Sequence, residues 1–234
     1  MNQPHQQCCT LVWHVHDFHY GFDCCIKKLQ KIQFGFQITA YGRLNRFDDW
    51  EKLVNARLQK QPDEAAYILS TSELASYRGQ FDKAREIIKS MIDKGQASSE
   101  DMNQYAWYAL SVASPMYQDT IDTASRANDL TKNANFGILH TLACVYAAAG
   151  KTSQARELLL KSIDTLHLEE PNSQVLFGFG LIAEQYGEFE AAAKLYARSP
   201  KPKLDGPGST YALAQKRLAA LRGVRNDATK NGGQ

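Results

Sequence analysis

Beyond residue 25 the chain is almost without cysteine and histidine: only Cys144, His140 and His167 occur there. That scarcity excludes a disulfide framework for the body of the protein. Long apolar runs are missing too. The longest, Val175–Ala183, is about nine residues and holds two glycines, far short of the roughly 20 a membrane-spanning helix needs. Period-two alternation of apolar and polar residues is absent over any useful length, so strands are not expected. The net charge of +2 over 234 residues points to no polyanion. Positive charge gathers only after Pro200, where seven Lys and Arg meet two aspartates. This tail reads as a solvated basic terminus, and nucleic acid is not an expected partner. The start of the chain lacks the cationic and apolar regions of a secretory signal, so the expected location is cytoplasmic, with no membrane association.

Catalytic signatures are equally scarce. There is no G-x-S-x-G, no H-E-x-x-H and no glycine-rich dinucleotide fingerprint. Gly150-Lys151-Thr152 resembles the end of a phosphate loop, but the required earlier glycine is Val145, and the pattern before it is helical. His140 and Cys144 stand four apart on one helical face, without an evident oxyanion donor or orienting carboxylate. The expectation is that the protein is not an enzyme and needs no cofactor. One constellation could carry metal chemistry: Cys8, Cys9, His14, His16, His19, Cys24 and Cys25. The residue types suit zinc, but the paired cysteines are adjacent rather than two to four residues apart, so no metal site is assigned. Residues 1–33 read instead as an improvised first helix, or as a stretch foreign to the rest of the chain.

What the sequence has is a repeat. Gly79, Gly150 and Gly187 each end an amphipathic segment, with an alanine five residues later (Ala84, Ala155, Ala192) and a small residue seven earlier (Ser72, Ala143, Gly180). Two further copies centre on Asn45 and Pro115, giving steps of 34, 36, 35 and 37 residues. Two past each centre stand Phe47, Phe81, Tyr117, Thr152 and Phe189; nine past stand Val54, Ile88, Ala124, Leu159 and Tyr196. Each unit reads as a helix, a tight turn at a positive-φ residue, a second helix and a polar connector. The small residues let the two helices approach closely.

This pattern resembles the tetratricopeptide repeat. Leu142, Ala143, Tyr146, Gly150, Ala155 and Leu159 fall on its signature positions, as do Phe179, Gly180, Gly187, Phe189, Ala192 and Tyr196, and Ala75, Gly79, Phe81, Ala84 and Ile88. The first copy departs at Trp50, which replaces the alanine; the third departs at Pro115 and Thr120, leaving the register of its first helix (Asn103–Ala113) open. From Gly42 onward the chain is also similar to the repeat tails of larger bacterial multidomain proteins, some with a transglutaminase-like domain upstream. The resemblance implies an all-α, right-handed α-solenoid. The expected organisation is a Cys/His-rich segment at 1–33 and five hairpins at about 34–62, 66–95, 103–132, 137–167 and 174–199. After them come a linker at 200–208, a capping helix at 209–223 from Ser209, and a disordered tail at 224–234.

In such arrays the first helices line a concave groove. The register projects Leu69, Glu73 and Tyr77 into it from the second copy, and Tyr105 and Ala109 from the third. His140 and Cys144 join from the fourth, and Phe177, Leu181 and Gln185 from the fifth. Some family members grip a peptide's terminal carboxylate with lysine and asparagine there; this chain has neither. The expected function is a scaffold that holds a protein partner's helix or extended apolar peptide. The alternatives are an accessory region of a multidomain enzyme, or metal binding through the N-terminal cluster.

Overall fold

The computed structural model describes residues 18–112, 118–167, 169–202 and 205–231, with the backbone alone at 18–27 and 224–231. Among the described residues the chain forms eleven α-helices and no strand. They are α1 (Phe18–Arg43), α2 (Phe47–Leu58), α3 (Ala65–Tyr77), α4 (Phe81–Asp93), α5 (Ser99–Ala109) and α6 (Gln118–Leu130). Then come α7 (Phe136–Ala148), α8 (Thr152–Leu166), α9 (Ser173–Gln185), α10 (Phe189–Ala197) and α11 (Thr210–Asn231). The chain divides into two compact units, Met1–Ala66 and Tyr67–Gln234.

In the larger unit successive helices from α4 to α11 pack on one another, α5 also touches α7 and α7 touches α9, and α3 bonds to α4 through Ser72 and Ala84. The first helices of the hairpins therefore form one layer and the second helices another, which is an α-solenoid. In the smaller unit α1 packs on α2. Phe34, Ile38, Trp50 and Val54 are buried there.

The repeat's turn is one device used four times. Gly79, Gly150 and Gly187 have φ of +73°, +74° and +76°, and Asn45 takes the same role at +52°. In each case the amide after the positive-φ residue reaches back five positions: Gln80 to Ala75, Lys151 to Tyr146, Glu188 to Ala183 and Arg46 to Tyr41. The positive-φ amide itself reaches three back, to Ser76, Ala147, Glu184 and Gly42. This double closure satisfies carbonyls that the helix end would otherwise orphan. The second helix then opens at Phe47, Phe81, Thr152 and Phe189, two residues past each centre. First helices start differently, on side-chain caps: Ser98 to the Asp101 amide, Asn135 to Ile138 and Asn172 to Val175.

Close approach of the paired helices is visible atom by atom. Ser72 Oγ donates to the Ala84 carbonyl at 2.8 Å. Ala143 and Ala155 are buried in one cluster with Leu159, Phe177 and Tyr196. Gly180 faces the Tyr196 ring so closely that a Cβ would stand 2.3 Å from it.

Three boundaries differ from the sequence expectation. No break falls at residue 33, because α1 runs continuously from Phe18 to Arg43. The shift in composition there falls within one helix. The third copy's first helix is Ser99–Ala109, not Asn103–Ala113, because Ser98 and Asp101 form a reciprocal capping box. The last helix continues to Asn231 instead of ending at 223. Ser209 does cap it, accepting from the Ala212 amide at 3.0 Å. No helix among the described residues is long and apolar enough to cross a membrane.

Candidate functional site

On the first-helix face of the larger unit, between α3 and α5, lies an open cavity of about 450 Å3. Helix α3 contributes Leu69, Glu73 and Tyr77 to it, at i, i+4 and i+8, so they form one stripe. Helix α5 contributes Glu100, Asp101, Gln104 and Tyr108. Gly206, Pro207, Gly208 and Ser209, between α10 and α11, form its third side. The walls therefore combine aromatic rings, an aliphatic patch and three carboxylates.

The cavity alters its own ionisable groups. Glu73 is accessible, yet the surrounding walls desolvate it and raise its carboxyl pKa. Tyr77 is raised by desolvation and then by the nearby Glu73 charge. Desolvation pushes Tyr108 up to about 12. Glu100 moves the other way, because Ser99 Oγ donates to it at 2.8 Å and favours its charged form.

The segment at 206–209 lies with bare backbone on aromatic rings. A Cβ on Gly206 would stand 3.5 Å from the Tyr77 ring, and one on Gly208 would stand 3.1 Å from Phe81. Trp107 Nε1 donates to the Gly208 carbonyl at 2.8 Å. Beyond it, α11 packs on α9 and α10. Its Leu213, Ala214 and Leu218 share a core cluster with Phe177, Leu181 and Tyr196. Arg217 pairs with Glu184 at 3.0 Å, and Lys216 Nζ donates to the Ser111 carbonyl at 3.0 Å.

These contacts sort the residues projected from sequence. Leu69, Glu73 and Tyr77 do line an open cavity. Tyr105 and Ala109 do not line it: both are buried, and Tyr105 turns toward the second helices, where it edges a separate open cavity with Arg85 and Asp119. Its hydroxyl donates to Asp119 at 2.7 Å and Arg85 lies 4.4 Å over its ring. The residues facing the cavity from α5 are Gln104 and Tyr108, one position earlier on the helix; a one-residue slip turns a side chain by about 100°. Arg85 also explains Thr120 at the alanine position, since Arg85 Nη2 donates to the buried Thr120 hydroxyl at 2.7 Å.

His140, Cys144, Phe177 and Leu181 are buried in the core rather than presented on a groove. Phe177 packs on Tyr196 and Trp107, and α11 joins the cluster that holds it. Gln185 is exposed at the end of α9. The His140 ring stacks on Phe136, and its Nε2 donates to the Gln174 carbonyl at 2.8 Å. Burial lowers its pKa to about 4, so it stays neutral near pH 7. Cys144 Sγ is 3.5 Å from the same nitrogen, and burial pushes the thiol far up. A nucleophilic cysteine needs the opposite shift and access to a substrate; this pair has neither.

Of the N-terminal cluster, Cys8, Cys9, His14 and His16 lie outside the described residues, and for His19, Cys24 and Cys25 only the helical backbone is described. The described residues hold no group of three or more His, Cys, Asp or Glu arranged for a metal.

Gln104, Trp107, Tyr108 and the 206–209 segment were not singled out by sequence reasoning. The Ser98-x-x-Asp101 capping signature would have fixed the register of α5 and exposed the first three. Nothing local in Gly206-Pro207-Gly208 signals where it docks. No protein-family model matches the chain, and no curated protein matches it.

Proposed function

We propose that this chain is a tetratricopeptide-type interaction module that binds a peptide of a protein partner at the α3/α5 cavity, without catalysis. The carrying observation is the cavity itself: an open volume of about 450 Å3 in the first-helix layer, lined by the α3 stripe Leu69, Glu73 and Tyr77. Exposed backbone polar groups of a peptide find a partner in Gln104, and its side chains find Leu69 and the Tyr77 ring. Groove binding of this kind draws affinity from backbone hydrogen bonds and selectivity from side-chain pockets. The lining carries Glu73, Glu100 and Asp101 and no basic residue, which disfavours a phosphate backbone as the occupant.

A displayed library of random peptides, selected against the full chain, tests this. The selected peptides should lose at least about tenfold in affinity for Glu73→Ala with Tyr77→Ala, the cost of a binding anchor. Glu157→Ala, on the exposed side of α8, should leave binding unchanged. Peptides that bind independently of Glu73 and Tyr77 would overturn the assignment of this cavity.

A further inference from the structure

Most polar groups that line the α3/α5 cavity are already engaged. Ser72 Oγ donates to the Ala84 carbonyl and Ser76 Oγ to the Glu73 carbonyl. Asp101 accepts from both the amide and the hydroxyl of Ser98, and Glu100 accepts from Ser99. The turn at 206–209 is closed by the Ser209 amide on the Gly206 carbonyl at 2.9 Å. Ser209 Oγ caps α11 and donates to Asp205, and Trp107 takes the Gly208 carbonyl. That turn is a fixed wall of the cavity. The Glu73 carboxylate is different. Desolvation alone perturbs it, and no charged or hydrogen-bonding neighbour among the described residues offsets that cost.

Its surroundings are ordered along one line. Tyr77 stands one turn further along α3, and Tyr108 faces the same space from α5. The Glu73 charge is felt at both phenols. Both rings also stand against the turn: the Tyr77 ring lies 3.5 Å from the Cβ position of Gly206, and the Tyr108 ring 3.8 Å from that of Gly208. One turn the other way, about 6 Å along the helix axis, is Leu69. The stripe therefore runs aliphatic, anionic, aromatic. A long basic side chain has the matching order, an apolar stem that packs on apolar surface and a charged end. Ring faces and a carboxylate both attract a cation, and more strongly where water is thinned. No Lys, Arg or His lines the cavity, so the chain supplies no such cation itself.

We propose that the α3/α5 cavity selects a basic side chain of its peptide partner, a lysine or arginine whose stem lies along Leu69 and whose charged end meets the Glu73 carboxylate beside the Tyr77 and Tyr108 rings. This rests on the reading of the cavity as a peptide site and adds the chemistry of the residue it selects. Glu100 and Asp101, of the same sign at the rim, favour further basic residues in the partner and speed its encounter. A desolvated, unpaired carboxylate costs the fold stability, and the bound cation is what turns that cost into selectivity.

The peptides selected from the displayed library are the probe. They should share a lysine or arginine. Replacing it with norleucine, which keeps an aliphatic stem and removes the charge, should weaken binding to the wild-type chain about tenfold. The same replacement should cost little against Glu73→Gln, because the two changes remove one interaction. In a charge exchange, Glu73→Lys should prefer the peptide with glutamate at that position over the parent peptide. Melting curves separate recognition from folding: Glu73→Gln should lose binding while its melting temperature at pH 7 rises. Selected peptides that need Glu73 and Tyr77 but carry no basic residue, or that bind equally well with norleucine in its place, would overturn the proposal and leave the cavity standing as a peptide site. A Glu73→Lys chain that still prefers the parent peptide would overturn it too. Peptides that bind independently of Glu73 and Tyr77 would overturn both readings.

Discussion

Gly180→Ala adds one methyl group where α9 meets the Tyr196 ring of α10. Its Cβ would stand 2.3 Å from Cε1 of Tyr196, 2.7 Å from Cζ and 2.8 Å from Cδ1. Relief to van der Waals separation needs a movement of roughly 1 Å. The ring has little freedom to give it. Tyr196 is fully buried, its ring packs on Phe177 at 5.8 Å, and its hydroxyl donates to Glu184, which also holds Arg217. Overpacking of this kind costs about 1–3 kcal/mol, against a gain of about 1 kcal/mol for replacing a glycine inside a helix. The net loss is up to about 2 kcal/mol, or up to about 8 °C in melting temperature for a unit of this size. Gly223→Ala on α11 is the control: nothing lies within 4 Å of its Cβ, so propensity acts alone and stability should rise by up to about 1 kcal/mol. Combining Gly180→Ala with Tyr196→Leu should cost less than the two losses summed, because the smaller side chain vacates the contested space. Thermal circular dichroism of these proteins reads all of this. A Gly180→Ala protein as stable as wild type, with additive effects in the double variant, would refute the pairing of α9 with α10 in this register.

Three further outcomes rest on particular groups. His140 is fully buried with its pKa lowered from 6.5 to about 4. Between those values the unfolded chain binds the extra proton, so stability falls as pH drops from about 6.5 toward 4, by roughly 3 kcal/mol in total; urea midpoints at pH 7 and 4.5 should converge in His140→Phe relative to wild type. Glu73 has a raised carboxyl pKa, caused by desolvation, so its charged form is disfavoured in the fold. Glu73→Gln should therefore raise the melting temperature at pH 7, and the gain should fade as pH falls through the carboxyl range. At Asn45, φ of +52° puts the backbone in the left-handed region: Asn45→Gly should retain stability, whereas Asn45→Val should lose about 1–2 kcal/mol, measured by hydrogen exchange along α1 and α2.

The hairpins were legible in the sequence because each rests on a local constraint. A positive-φ residue at the turn marks four copies, an aromatic two positions later marks three of them (Phe47, Phe81, Phe189) and paired small residues mark three (Ser72 with Ala84, Ala143 with Ala155, Gly180 with Ala192), and the observed second helices start two residues past each such turn. The third copy was the exception. With Pro115 and Thr120 in place of the usual glycine and alanine, its register had to come from the other end of the helix, from Ser98 and Asp101. That slip put Tyr105 in the groove where Gln104 and Tyr108 belong. The burial of Phe177 and Leu181 was illegible for a different reason. It depends on α11 joining α9 and α10 through Leu213, Ala214 and Leu218, a contact between segments distant in sequence with no repeat to announce it. The docking of Gly206–Ser209 on Trp107 spans about a hundred residues and leaves no periodic trace.

The central claim is that the α3/α5 cavity is where a partner peptide binds. Amide chemical-shift mapping of the labelled full-length chain, titrated with a library-selected peptide, tests it most directly. The account predicts shifts concentrated at Leu69, Glu73, Tyr77, Gln104 and Tyr108. Shifts confined to the second-helix layer, around Glu86 and Glu157, with the cavity signals unmoved, would contradict it.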